Sequence, residues 1–111
     1  MNFLSRLEEL LLLTIWKLKD DAYGVTIREQ IEKQTNKKWL SGAIYAPLQR
    51  LHANGYVESY RADESTNLGG RPRIYYRVAP KGMEKLAAIQ ELNRSLWREV
   101  PDLKEIRKHA E

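Results

Sequence analysis

Apolar residues near the amino terminus recur every three or four positions, the spacing of one face of an α-helix. Residues 3–18 are predicted to form this helix, and its apolar stripe contains Leu4, Leu7, Leu11, Ile15 and Leu18. Further leucines and Trp16, which is expected to lie in the core, widen the stripe over most of the circumference. Because a small domain needs only one apolar face per helix, we expect this helix to pack on two sides, with a second chain as one candidate partner.

Two shorter helical patterns follow. The first places Tyr23, Ile27 and Ile31 on one side of a helix and charged residues on the other. In the next, Ser41 is placed to act as the N-cap, and Asn54-Gly55 supplies the carboxyl-terminal stop. Three helices within about 55 residues, with a tight connection before the third, predict a helix-turn-helix.

The third helix contains one unfavourable residue, Pro47. Proline removes a backbone hydrogen bond and disfavours α geometry at the preceding residue, here Ala46. We therefore expect a kink or a loosened first turn in this helix.

From Val57 onward the hydrophobic period changes from about 3.6 to about 2, which is typical of β-strands. Residues 57–61 and 73–78 are predicted to pair as a hairpin across a polar, glycine-rich loop. In the second strand we expect Ile74, Tyr76 and Val78 to face the core, and Arg73, Tyr75 and Arg77 to face outward. A hairpin that follows a helix-turn-helix predicts a winged helix.

Pro80 suits the first turn of a last helix, because its missing N–H would have no partner there. The apolar pattern continues to Val100, so residues 80–100 would span about 30 Å. Little of the domain remains for this helix to cover, and we expect it to pair with a second copy of the chain. The predicted dimer interface combines the two terminal helices through Leu4, Leu7, Leu11, Leu86, Ile89, Leu92, Leu96 and Val100.

These elements predict a mainly α fold with a small β hairpin: a winged helix-turn-helix over residues 1–79, and a C-terminal dimerisation helix and tail over residues 80–111. A chain of 111 residues with 42% hydrophobic composition suits a single core. The longest apolar run, residues 10–15, is too short to cross a membrane, and the charged residues before it do not fit a signal peptide. A cytoplasmic protein with no membrane partner is expected.

The chain offers no candidate catalytic or metal site. It has no cysteine, and its two histidines, His52 and His109, are far apart with no neighbouring ligands at metal-binding spacing. It has neither a phosphate-binding glycine motif nor a nucleophile elbow. We therefore expect a protein that is not an enzyme and needs no cofactor.

Positive charge is concentrated in the middle of the chain. Residues 37–81 carry eight basic and three acidic side chains, whereas the segments before and after have net charges of −1 and 0. This distribution is expected if one face of the protein meets a polyanion, although chance clustering would give the same totals.

The candidate nucleic-acid contacts fall on the third helix and the hairpin. Ser41 and Gly42 at the helix start permit close approach to a major groove, and Gln49 is suited to hydrogen-bond adenine. At the hairpin, basic residues beside two glycines would carry guanidinium groups to a phosphate or a narrow minor groove. The predicted DNA contacts are Lys37, Lys38, Ser41, Gly42, Tyr45, Gln49, Arg71 and Arg73.

Each of these residues also has a plainer interpretation. Tyr45 and Gln49 could cover a helix flank, the lysines could be ordinary solvated residues, and arginines on an exposed hairpin could prevent edge-to-edge aggregation. Trp97 on the last helix could be part of the dimer interface, or it could stack on a flat apolar ligand held between subunits.

Three segments carry a family resemblance: LEELLLLTIWKLKDDAYGVTIREQIEK, SGAIYAPLQRLHANGYVES and GGRPRIYYRVAPKGMEKL. Together they resemble the PadR family of bacterial transcriptional regulators over residues 4–100. The resemblance implies a winged-helix repressor that dimerises through its last helix with help from the first. It also implies binding to palindromic promoter DNA and release by small aromatic or drug-like compounds.

The resemblance to short members of the family implies roles for individual residues. Tyr45 matches the tyrosine of the family's recognition helix, a phosphate contact, and Arg71 and Arg73 match the basic wing. Trp97 matches a tryptophan that lines a pore at the dimer centre in multidrug-sensing members.

Two departures from the family pattern bear on these roles. Ala46 separates the tyrosine from Pro47, and Pro101 is close enough to Trp97 to shorten the last helix. The sequence also leaves two alternatives open: a winged-helix module that binds an acidic protein instead of DNA, and a DNA-binding protein without an effector.

Overall fold

The computed structural model describes residues 3–62 and 73–109. Five α-helices, one short 3₁₀ helix and two β-strands lie within these ranges. The α-helices are α1 (Arg6–Leu18), α2 (Gly24–Thr35), α3 (Ser41–Ala53), α4 (Pro80–Trp97) and α5 (Leu103–His109). The 3₁₀ helix, Lys19–Asp21, joins α1 to α2, and β1 (Val57–Arg61) pairs with β2 (Ile74–Val78) as an antiparallel hairpin. This order confirms the predicted fold class.

α1 begins three residues later than its apolar pattern indicated, because Ser5 and Glu8 form a capping box. The Ser5 hydroxyl accepts a 3.1 Å hydrogen bond from the Glu8 N–H, and the Glu8 carboxylate accepts a 2.9 Å bond from the Ser5 N–H. After this cap, only one side of the helix is buried by the rest of the chain. The side chain of Trp16 is 53% exposed, so the prediction that it lies in the core is wrong.

A hydrophobic core joins α1 to the helix-turn-helix and to the hairpin. Its buried residues are Leu11, Leu12, Ile15, Ala22, Ile27, Ile31, Ile44, Leu48, Leu51, Val57 and Tyr76. Leu11 is fully enclosed within one chain, so its predicted place in a dimer interface is wrong. Leu4, Leu7 and Leu86 are half-buried and pack against the same core.

The turn between α2 and α3 begins at Asn36, whose φ of 53° is in the left-handed region that asparagine tolerates. The N-cap of α3 is Leu40, and the predicted cap, Ser41, is instead the first helical residue. α3 continues through the buried Pro47. The proline was expected to loosen the first turn of this helix. That turn is closed by a 3.0 Å hydrogen bond from the Ala43 N–H to the Leu40 carbonyl. The helix ends as predicted, before a glycine with φ of 78°.

The hairpin places Val57 opposite Val78 and Tyr60 opposite Tyr75. Tyr76 is buried and Val78 is half-buried, as predicted for residues that face the core. Ile74 does not follow this pattern, because it pairs with the last residue of β1 at the far end of the hairpin and is 48% exposed.

α4 starts at Pro80, as predicted, but ends at Trp97 rather than at residue 100. At about 1.5 Å per residue its length is about 27 Å. Val100 therefore lies beyond the helix that was predicted to carry it into a dimer interface. Every described residue from 90 to 109 is exposed, and the molecule measures 58 × 30 × 21 Å, because the end of α4 and α5 extend away from the core.

Gly82 is buried in the first turns of α4, where the helix meets the chain that leaves α3. A methyl group at this position would overlap the Tyr56 carbonyl oxygen and lie 2.8 Å from Cγ1 of Val78. Because backbone cannot move aside without wider rearrangement, Gly82→Ala is expected to lower the free energy of unfolding by about 2 kcal/mol. Gly24→Ala, whose new methyl group has no atom within 4 Å, is the matched control and should be close to neutral. Chemical denaturation measures both variants, and equal stabilities would contradict the prediction.

Candidate nucleic-acid interface

α3 exposes the small residues of its amino-terminal end and buries the opposite side. Ser41, Gly42 and Ala46 are exposed, whereas Ile44 and Leu48 lie in the core. The side chain of Tyr45, next to these small residues, is 60% exposed. A helix that enters a major groove by its amino-terminal end needs this division, because small side chains allow the backbone to approach the bases.

Gln49, unlike Tyr45, is only partly exposed to solvent. Its Nε2 donates a 3.3 Å hydrogen bond to the hydroxyl of Tyr76, which joins α3 to β2. Burial raises the pKa of Tyr76, and the hydrogen bond with Gln49 offsets part of that rise. An amide held by a buried tyrosine is poorly placed for a bidentate pair with adenine, so the geometry fits the plainer interpretation of Gln49 as a residue of the helix flank.

Lys37 and Lys38 lie in the turn that leads into α3, and both are exposed. The Lys37 Nζ lies 4.5 Å from the centre of the Trp39 ring, and the Lys38 Nζ lies 3.9 Å from a carboxylate oxygen of Glu32. Exposed contacts of this kind contribute little to stability. A phosphate could therefore replace them at low cost.

Arg73 is held at the base of the hairpin by aromatic side chains. Its guanidinium carbon lies 4.6 Å from the centre of the Tyr23 ring, which meets the Tyr75 ring edge-on with 5.3 Å between the ring centres. The neighbouring Tyr75 side chain, followed by Tyr23 and with a smaller contribution from Asp21, raises the pKa of Arg73. Tyr75 also stacks on Tyr60, with 5.7 Å between the ring centres. The sequence predicted an outward-facing Tyr75, but this residue is half-buried, with its ring against those of Tyr23 and Tyr60.

The other arginines of the hairpin differ from Arg73. Arg71, the second predicted wing contact, lies outside the described residues. Arg77 shares a face with Arg73, but its Nε forms a 2.8 Å ion pair with Glu58, the residue opposite it on β1. Of Arg73 and Arg77, Arg73 is therefore the better placed to contact a phosphate.

The sequence does not single out Arg28, which is one of the charged residues on the polar side of α2. Its Nη1 donates a 2.8 Å hydrogen bond to the hydroxyl of Ser41 at the start of α3. The two residues are 13 positions apart and belong to different helices. No periodicity or local motif could have indicated this contact.

A second surface lies between α1 and α4, where a groove of about 370 Å³ is lined mainly by apolar side chains. Trp16, Leu13 and Met83 are among its residues. Farther along α4, Leu96 and Trp97 are 63% and 60% exposed. Large apolar side chains exposed on one helix of a small protein are typical of a surface that meets a partner.

The described part of the chain contains no group of three or more His, Asp or Glu side chains that could hold a metal ion. None of its helices is long and apolar enough to cross a membrane.

The helix-turn-helix, the exposed small residues of α3 and the arginine fixed at the adjacent hairpin are together the features of a winged-helix DNA-binding protein. Residues 4–88 match the model of the transcriptional regulator PadR-like family. The chain belongs to this family, which confirms the resemblance found in the sequence. Its members are transcriptional regulators and not enzymes, and they bind DNA, generally as dimers.

Solved structures agree with this assignment. A PadR-like transcriptional regulator from Bacillus cereus is 25% identical, with a TM-score of 0.70 over 87% of this chain and 89% of that chain. A PadR-like transcription factor from Bacteroides fragilis is also 25% identical, with a TM-score of 0.65 over 95% and 89% of the two chains. RosR from H. salinarum, at 19% identity, shares the fold with a TM-score of 0.70 over 96% and 89%. No curated protein matches the chain in sequence.

Proposed function

We propose that this PadR-like regulator is a repressor that binds a palindromic operator as a homodimer. In this proposal residues 1–79 bind DNA, and residues 80–111 form the dimer together with α1. The observation that carries the proposal is the exposed, small-residue start of α3, with the exposed Lys37 and Lys38 in the turn before it and Arg73 held by Tyr23 at the base of the hairpin.

The proposed DNA contacts divide into two groups. Lys37, Lys38, Tyr45 and Arg73 supply contacts to phosphates, which provide most of the affinity, and Arg71 joins them on the evidence of the sequence. The start of α3, at Ser41 and Gly42, approaches the duplex most closely. Gln49 is assigned to holding the hairpin against α3 and not to reading bases, because Tyr76 engages its amide.

The proposed dimer forms along the exposed apolar side of α4 and the neighbouring side of α1. Leu92, Leu96 and Trp97 are exposed on α4, and Trp16 is exposed on α1. Two half-sites of an operator are about 34 Å apart along B-DNA. A pair of helices about 27 Å long is a spacer of suitable size for two copies of α3.

A planar aromatic effector is proposed to bind at Trp97, between the two subunits. Such a compound releases DNA only if it prefers a dimer in which the two α3 helices are wrongly spaced for the operator. The exposure of Trp97 near the end of α4 supports this position.

The DNA-binding proposal is tested with Arg73→Ala. Loss of one phosphate contact per subunit is expected to weaken binding and to lower the slope of log affinity against log salt by about one unit per contact. Arg94→Ala removes the same charge from an exposed residue of α4 and serves as the matched control. Fluorescence anisotropy with duplex DNA from upstream of the protein's own gene, at several salt concentrations, gives the slopes. An unchanged slope for Arg73→Ala would remove the wing from the interface.

The dimer is tested with Leu96→Glu, which places a charge on the exposed apolar side of α4. Sedimentation should show a dimer for the wild type and a shift toward monomer for this variant, because an unpaired carboxylate is costly to bury. Ile74→Glu changes another apolar side chain, 48% exposed against 63% for Leu96, on the hairpin and should remain a dimer. A wild-type chain that sediments as a monomer at micromolar concentration would contradict the proposal.

The effector site is tested by tryptophan fluorescence with a panel of planar aromatic dyes. We expect quenching in the wild type, retention of quenching in Trp39→Phe, and its loss in Trp97→Leu, since stacking requires close contact with the indole. DNA binding by Trp97→Leu in the absence of dye should be little changed. If no dye quenches the wild type, the effector part of the proposal is wrong.

A further inference from the structure

Arg28 spans the helix-turn-helix without a neutralising partner. Its Nη1 donates a 2.8 Å hydrogen bond to the Ser41 Oγ. Its Nε is buried and has no hydrogen-bond partner in the described part of the chain. No carboxylate of residues 3–62 or 73–109 lies within 4.0 Å of the guanidinium group. The positive charge at the start of α3 is therefore uncompensated.

Folding alone does not explain an arginine in this position. The side chain lines a groove of about 460 Å³ between α2 and α3, together with Val25, Ile44 and Leu48. Burying a polar N–H among such residues without a partner is costly.

The bond to Arg28 determines what the Ser41 hydroxyl can do. A guanidinium has donors only, whereas a hydroxyl has one donor hydrogen and two acceptor lone pairs. Ser41 must therefore be the acceptor in this pair, and its own hydrogen must point toward a different group. Ser41 is exposed at the first position of α3, and its side chain does not cap the helix. Its hydrogen is thus available to an acceptor that approaches from outside.

We propose that Arg28 is a positioning residue that turns the Ser41 hydroxyl outward to donate to a phosphate oxygen of the operator. The inference rests on the proposed function, since it requires α3 to meet DNA. A phosphate is favoured over a base acceptor because it is anionic and the neighbouring guanidinium is uncompensated. The role differs from that of Arg73, whose guanidinium is proposed to contact the duplex directly.

The test is a double-mutant cycle of Arg28→Gln and Ser41→Ala, with operator affinity measured by fluorescence anisotropy. Each single variant should bind about 10-fold more weakly, as expected for a charge-assisted hydrogen bond. The operator affinity of the double variant should be at most about 3-fold below that of the single variant that binds less tightly, because both substitutions remove the same interaction. In the control cycle, the effects of Arg94→Gln and Ser41→Ala on operator affinity should be additive.

Thermal unfolding confirms that each variant is folded. If Arg28→Gln is unfolded, Arg28→Met, which keeps the apolar stem of the side chain, replaces it.

A second measurement locates the acceptor on the DNA. Single neutral methylphosphonates are placed along the operator backbone, one position at a time. One position per half-site should weaken binding of the wild type about 10-fold but have little effect on Ser41→Ala or Arg28→Gln, in which the contact is already lost.

Three outcomes overturn the inference. Additive losses in the Arg28 and Ser41 cycle would show that the two residues act separately. A methylphosphonate profile that is the same for the wild type and Ser41→Ala would show that the hydroxyl does not contact a phosphate. Both results leave DNA binding by α3 intact, whereas a wild-type protein that binds no duplex would overturn the inference and the proposed function together.

Discussion

Tyr76 fixes the position of the hairpin against both helices of the helix-turn-helix. Its backbone N–H donates a 2.8 Å hydrogen bond to the Ala22 carbonyl, just before α2, and its hydroxyl accepts one from Gln49 on α3. Its ring is only 5% exposed, within the core that α1 completes. Because two bonds from one buried residue reach two different elements, the hairpin cannot shift without breaking a buried contact. The relative placement of α3 and Arg73 follows from this constraint.

Six of the described arginines fall into two groups according to the partners that hold them. Arg6, Arg50, Arg77 and Arg94 lie within 4.0 Å of a carboxylate, so their charge is largely neutralised where it stands. Arg28 and Arg73 contact neutral groups instead, a serine hydroxyl in one case and the Tyr23 ring in the other, and the carboxylate that acts on Arg73, that of Asp21, lies farther than 4.0 Å from it. A neutral partner fixes a guanidinium without cancelling its charge, which is the condition for attracting a phosphate. Both residues lie beside the proposed DNA contacts, one at the start of α3 and one at the base of the hairpin.

The sequence allowed the order and type of the elements to be predicted, because their signals are local. Pro80 and Asn54-Gly55 define helix ends through their own backbone preferences, and the change of period at Val57 separates the hairpin from the helices. The prediction that Trp16 lies in the core was wrong. When a helix is apolar over most of its surface, its sequence does not show which side packs against the rest of its own chain.

The candidate site was less predictable, because its contacts join residues that are distant in sequence. Gln49 has the chemistry of a base-reading residue, and only the approach of Tyr76 from β2 shows that its amide is engaged. Charge totals indicated a basic region in the middle of the chain, but they could not distinguish Arg73 from Arg77, since an opposing glutamate on β1 neutralises one of them. Tertiary contacts decide which of several equivalent side chains is free to act.

The exposed end of α4 connects the two parts of the proposed function. The first turns of this helix pack against β2 and α1, whereas its last turns extend into solvent with Leu96 and Trp97 uncovered. A helix end without tertiary contacts is only marginally stable in water, so a second copy that covers these residues would also stabilise the helix. α1 packs on α4 at one side and on α3 through the core at the other. In the proposed dimer, the angle at which two α4 helices cross would therefore set the separation of the two α3 helices. A ligand that alters this crossing angle would change the proposed operator affinity without touching DNA, by the ratio of its affinities for the two dimer geometries.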